Sequence, residues 1–277
     1  MKILIRGAGD IATGIALRLY RAGMQVVMTD LPAPTAIRRT VCFSQAIILG
    51  EMTVEDVTAR RAETPDQAEA LLAQGLIPVL ADPDCTFRTR LRPDALVDAI
   101  LAKRNLGTKI DDAPIVVGIG PGFTAGEDCH AVVETMRGHT LGRVIYRGSA
   151  LPNTNIPGLI GGYAGERVLR APAEGIFCQK LEIGAVVRAG DVAGEVAGQP
   201  MRCTIDGVLR GILADGTPVF RGMKAGDVDP RCKPEYCTTA SDKALAVGGG
   251  VLEAVLHLHH RNRPAEKQSQ FTGGALL

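Results

Sequence analysis

Gly7, Gly9 and Ala12 stand at the spacing G-x-G-x-x-G/A, within the opening stretch KILIRGAGDIATGIALRLYRAGMQVVMTD. Glycines at the first two positions permit a tight turn and a close backbone approach to a pyrophosphate. The helix that follows offers unpaired N–H groups to an anion. Asp30 ends the second apolar run, where a carboxylate could accept hydrogen bonds from a ribose. Asp10 complicates that chemistry, because a carboxylate in the first helical turn suits the helix dipole but repels a neighbouring phosphate. Either it simply caps this helix, or a bound phosphate must sit in a displaced pose or reach it through Mg²⁺. Arg38 and Arg39, soon after the second strand, could clamp a phosphate or carboxylate and could equally form a solvated surface pair.

A second bend lies in GIGPGFTAGEDCHAVVETMRGH, with Gly120, Gly122 and Gly126 around Thr124. Successive backbone N–H groups in such a loop can form an anion-binding nest, and the carboxyl end of a strand is where open α/β sheets bind ligands. Lys103, Arg104 and Asn105 fall at the end of a predicted helix, where cations suit the dipole and could also neutralise a phosphate. Cys129 and His130 are the candidates for catalysis. On the helix predicted there they point about 100° apart, so they make no nucleophile–base pair by themselves. A helix N-terminus would still favour a Cys129 thiolate. Cys232 and Cys237 make half a zinc site with no second pair at metal spacing, and no metal is expected.

Positioning these groups calls for alternating strands and helices. Residues 2–5 and 25–29 read as buried strands, with a helix between them that carries Ile11, Ile15, Leu19 and Ala22 on one face. Thr64-Pro65-Asp66-Gln67 is a capping box opening a helix that ends at Gly75, and the strand LIPVLAD follows. Helices are predicted over 94–103 and 128–137, strands over APIVVGIG and GRVIY, and strands rather than helix over 41–62. The pattern implies a doubly wound, mainly parallel sheet. Residues 148–165, rich in Gly, Pro and Asn, read as a linker or an active-site lid.

Beyond the linker, EGIFCQKLEIGAVVRAG at 174–190 repeats as DGVLRGILADGTPVFRG at 206–222. Two such units must pack on each other to bury a face. The pattern resembles the barrel-sandwich hybrid of lipoyl and biotinyl domains, but the connecting AGQPMR has no lysine, so no lipoyl or biotin is expected. The tail is helical at least over 251–259, and Ser241 or Asp242 could cap an earlier helix. Gly248–Gly250 suggest either a break or a close backbone approach, and a disordered tail is expected from about residue 262. The expected fold is therefore α/β: a Rossmann-like sheet over 1–165, a small all-β barrel-sandwich hybrid over 166–230, and a C-terminal helical segment over 231–277.

A net charge of +1 and the absence of tryptophan argue against nucleic acid and against an anionic membrane. No apolar run reaches spanning length, and Arg6 and Asp10 interrupt any signal-like start. Seven cysteines without framework spacing fit a reducing cytoplasm.

The strings RGAGDIATG, AIRRTV, AKRNLGTKIDDAPIVVGIGPGFTAGEDCHAVVETMRGHTLGRVI, GSALPNTNIPG and SDKALAVGGGVLEAVL together resemble the YqeB-type selenium-dependent molybdenum hydroxylase maturation proteins. The first part of the chain is also similar to xanthine dehydrogenase accessory proteins. The resemblance implies an accessory role, with a molybdenum hydroxylase apoprotein as partner and a molybdopterin-type cofactor or nucleotide as the phosphate-bearing ligand. On this reading the loops 7–14 and 118–126 face one cleft, and Arg38, Arg39 and Lys103-Arg104 neutralise the phosphate. Two alternatives stay open. One is an NAD(P)-dependent oxidoreductase using the glycine turn and Asp30, with a dinucleotide as cofactor. The other is a thiol-based selenium or sulfur carrier using Cys129, Cys85 or Cys237.

Overall fold

The computed structural model describes residues 1–154 and 156–262, so the tail predicted to be disordered lies outside the described residues, apart from its first position. The chain opens as β1 (Lys2–Arg6), α1 (Asp10–Arg21) and β2 (Gln25–Asp30). Next come α2 (Gln45–Leu49), the hairpin β3 (Glu51–Val54) and β4 (Val57–Ala62), α3 (Pro65–Ala73), β5 (Ile77–Ala81) and α4 (Arg88–Leu91). The capping box forms: Thr64 accepts from the Gln67 N–H at 3.2 Å, and Gln67 accepts from the Glu63 N–H at 2.8 Å. β6 (Ala95–Asp98), β7 (Val116–Ile119), β8 (Thr124–Ala125), β9 (Ala131–Val133), β10 (Val144–Ile145) and β11 (Gly148–Ser149) complete this half.

Nine of these strands form one sheet in the order β10-β9-β7-β6-β1-β2-β5-β4-β3, while β8 pairs with β11 apart from it. The interior pairs are parallel, and β3–β4 and β9–β10 at the two edges are antiparallel. Alternation along β1 sends Ile3 and Ile5 to one face and Leu4 to the other. The first face is covered by α1 together with α5 (Asp242–Arg261), whose Val247, Val251 and Val255 join Ile15 and Leu19 in one core. The second is covered by α3 and by Phe123.

Gly248–Gly250 lie inside α5, capped by Ser241, which accepts from the Ala244 N–H at 3.2 Å. They mark close approach and not a break. A Cβ on Gly248 would lie 2.8 Å from the Gly14 carbonyl oxygen, and one on Gly250 would lie 2.2 Å from that of Gly142. Burying α5 against backbone offsets the helix cost of these glycines.

The second half contains β12 (Val168–Arg170), β13 (Gly175–Gln179), β14 (Val186–Val187), β15 (Val192–Val196), β16 (Gln199–Arg202), β17 (Gly207–Ile212), β18 (Pro218–Val219) and β19 (Lys224–Asp229). They make two four-stranded antiparallel sheets, β12-β19-β17-β14 and β16-β15-β13-β18. The internal repeat appears as reciprocal pairing: Gly175 faces Val219 and Gly207 faces Val187.

The expected Rossmann-like sheet followed by a lipoyl-like barrel needs correction. The architecture is mixed α/β, with one large sheet of parallel and antiparallel strands and several smaller antiparallel sheets. The helices predicted over 94–103 and 128–137 are instead β6 and β9 with irregular chain, so the strict strand–helix alternation of a doubly wound sheet is missing. In the second half, β12 and β19 lie outside the repeat and extend one of its sheets. The stretch over 41–62, predicted as strands, contains α2 before its hairpin. Among the described residues no helix is long and apolar enough to cross a membrane.

Candidate functional site

The carboxyl ends of β1, β2, β6 and β7 open into a cleft of 1620 Å³, whose far wall comes from β12, β17, β19 and the start of α5. Of the residues singled out from sequence, Gly7, Gly9, Asp10, Asp30, Arg38 and Lys103 line it. Both bends reach the cleft, the second through Ile119 and Pro121 and not through its glycines. Gly7 has φ +102, and a Cβ there would lie 2.9 Å from the Ala99 carbonyl oxygen, so packing against the end of β6 already requires glycine. Gly9 faces open space.

Asp30 lines the cleft with both carboxylate oxygens already engaged by the chain. Its Oδ2 accepts from the Ala8 N–H and its Oδ1 from the Leu31 N–H, both at 2.7 Å, which holds the first bend closed. Burial pushes its pKa up, against these two bonds. Asp10 accepts from its neighbour's N–H at 2.9 Å and from Arg38 at 3.3 Å. Arg38 is buried, and also donates to the carbonyls of Tyr236 and Thr239. It therefore ties the first bend to the segment before α5 and is no open phosphate clamp.

The remaining predicted residues lie elsewhere. Arg39 donates to the Ile212 carbonyl and to Gln179, and burial lowers its pKa. Asn105 organises its own turn and donates to Asp128, and Thr124 exchanges a hydrogen bond with Ser149. A Cβ on Gly122 would lie 2.6 Å from the Arg104 backbone, and one on Gly120 would lie 2.7 Å from Thr135, so these glycines accommodate neighbours in place of an anion. Cys129 and His130 sit just before β9 and are not combined into a catalytic pair. Burial pushes the Cys129 thiol up to about 11, and the ring of His130 accepts from the Val116 N–H. Cys85 is likewise pushed up to about 11, and Cys237 is buried and raised.

The cleft also gathers charged groups that spacing along the chain did not bring together. Asp227, buried, accepts from Arg167 and from Arg210 Nε at 2.9 Å, and Arg210 reaches Asp229 at 3.1 Å. Lys224 on β19 and Lys243 in the first turn of α5 line the same cleft, with no hydrogen bond or salt bridge among the described residues. Lys224 is exposed, and desolvation by surrounding protein lowers its pKa despite Asp227 and Asp10. Burial lowers Lys243 as well, helped by Arg137, Lys103 and Lys224. Lys243 runs against the dipole of α5, a placement that sequence alone could have marked as unusual.

Arg137, at the rim, donates two hydrogen bonds to Asp242 at 2.7 and 3.0 Å. The pair holds the Asp242 carboxyl down at about 2, below its ordinary 3.8. Its stabilisation is therefore present above pH 4 and lost as pH falls through about 2. Solvent limits it to within about 1 kcal/mol, because Asp242 is largely exposed. The stability difference between the wild type and Arg137→Gln, measured by urea unfolding, should shrink from pH 5 to pH 2. A constant difference would assign Arg137 some other stabilising role.

No family model matches the chain. It is 52% identical over 266 residues to "Uncharacterized protein YqeB" of Escherichia coli (strain K12), covering 96% of this chain and 49% of that protein. Among solved structures, an aspartoacylase family protein from Mesorhizobium loti overlaps 53% of this chain and 59% of its own, at 12% identity and a TM-score of 0.23. A succinylglutamate desuccinylase/aspartoacylase from Rhodobacter sphaeroides overlaps 49% and 58%, at 20% identity and 0.22. The apo ectoine utilization protein EutE (DoeB) of Ruegeria pomeroyi overlaps 82% and 85%, at 13% identity and 0.24. Scores this low carry no argument about fold or activity. The chain spans about half the length of this curated relative, to which it is similar at 52% identity over the shared span.

Proposed function

We propose that the chain binds a phosphate-bearing small molecule in the cleft, as an accessory protein in the maturation of a molybdenum hydroxylase. A molybdopterin-type compound is the specific ligand proposed. One observation carries the binding step: Lys224 and Lys243 converge on the cleft without hydrogen-bonding partners, beside the N-terminus of α1. Cations that face a cavity and make no direct hydrogen bond or salt bridge to a carboxylate are suited to a ligand's charge. The two lysines supply the positive charge that offsets Asp10, which removes the sequence's main objection to an anion at this bend. The engaged Asp30 and the buried, raised thiols of Cys129, Cys85 and Cys237 favour this reading over the dinucleotide and thiol-carrier alternatives.

Calorimetric titration with inorganic pyrophosphate tests the site. Lys224→Gln/Lys243→Gln should weaken binding by about a hundredfold, as expected for two charge-assisted contacts of roughly 1.5 kcal/mol each. Equal binding by the variant would end the proposal. The maturation role has its own test: a molybdenum hydroxylase purified from cells lacking this chain should carry less molybdenum, and full loading would remove that role.

A further inference from the structure

The cleft has a second chemical character. Leu151, Ile156 and Leu159, from the segment between β11 and β12, line it while remaining 51%, 73% and 69% exposed. Single exposed aliphatic side chains on an outer surface need no explanation, but three on one cavity wall do. Their segment is anchored. The Leu151 N–H donates to Glu134, itself buried, at 2.8 Å, Lys103 donates to Asn153 at 2.8 Å, and Arg167 donates to the Gly158 carbonyl at 3.3 Å. One cavity thus combines two ammonium groups, those of Lys224 and Lys243, that make no hydrogen bond or salt bridge among the described residues, with an apolar wall. Its 1620 Å³ far exceeds what a free oxyanion fills.

We infer that this wall is a specificity subsite: Leu151, Ile156 and Leu159 recognise an apolar, ring-bearing body covalently attached to the anion, so the cleft takes an organic phosphate ester and discriminates against free phosphate. The inference rests on the anion-site reading above. A phosphate ion alone would leave the wall wet, whereas an aromatic body would bury it and gain affinity from the apolar area removed from water.

A matched pair of probes tests it on the full chain: 1-naphthyl phosphate and inorganic phosphate, which share the anion and differ in the ring. The wild type should bind the naphthyl ester at least tenfold more tightly. Ile156→Ser/Leu159→Ser, at exposed positions where folding should survive and can be checked by thermal melting, should reduce the ester to the affinity of phosphate and leave phosphate unchanged. Lys224→Gln/Lys243→Gln should weaken both probes. An ester no tighter than phosphate, or one indifferent to Ile156→Ser/Leu159→Ser, overturns the subsite while the anion site stands. Failure of the wild type to bind either probe, or indifference of both to the lysine changes, overturns the anion site as well.

Discussion

Gly250→Ala should lower the stability of the fold by about 3 kcal/mol, an outsized loss for one methyl group. The added Cβ would sit 2.2 Å from the Gly142 carbonyl oxygen and 2.8 Å from a Val133 methyl. The first neighbour is backbone and cannot rotate away, so α5 must shift off the sheet or the turn at Gly142 must move. Either response opens the core shared by Val247, Val251, Ile15 and Leu19. Gly249→Ala is the control: its Cβ would meet nothing within 4 Å, so only helix propensity changes and stability should rise by roughly 0.5–1 kcal/mol. Urea unfolding of both variants measures the contrast. Equal effects would mean that the backbone contact carries no cost.

Asp227→Ala should be more damaging still, at about 3–5 kcal/mol. Asp227 is 2% exposed, and Arg167 and Arg210, its partners, are each 7% exposed. Removing the carboxylate leaves Arg210 with Asp229 alone, and leaves Arg167 with the Gly158 carbonyl and an Nε that already has no partner. The cost is that of two under-compensated buried cations, not the worth of an ion pair. Asp227→Asn, which keeps an acceptor without the charge, should fall between wild type and alanine in the same unfolding measurement. A loss below 1 kcal/mol for the alanine variant would show that water reaches and satisfies the guanidinium groups.

What was legible in the sequence was local. The first strand–turn–helix, the Thr64 capping box and the repeat at 174–222 depend on neighbouring residues, and each is found where its pattern stands. Strands buried on both faces misled. β6 is buried at all four positions, so Leu96 and Val97 carry no period of two, and with Ile100 and Leu101 they imitate a helical face. Residues 131–133 fail in the same way, as a short apolar run with no solvent face. For the site, residue type and spacing cannot separate an Asp30 that awaits a ribose from one that already accepts the Ala8 N–H, because the same aspartate in the same place does both. Lys224 and Lys243 come from β19 and α5, far from the glycine bends, and only tertiary structure brings them to the cleft.

The seam between α1 and α5 bears on how the chain acquires its structure. Helices drawn from opposite ends of the described sequence meet backbone to backbone at Gly14 and Gly248, and one large apolar cluster stays open until both are present. Contacts of such long sequence separation must meet the entropy of closing nearly the whole loop before they return any energy. The part of that face which α5 covers therefore closes only after the rest of the described chain has been made.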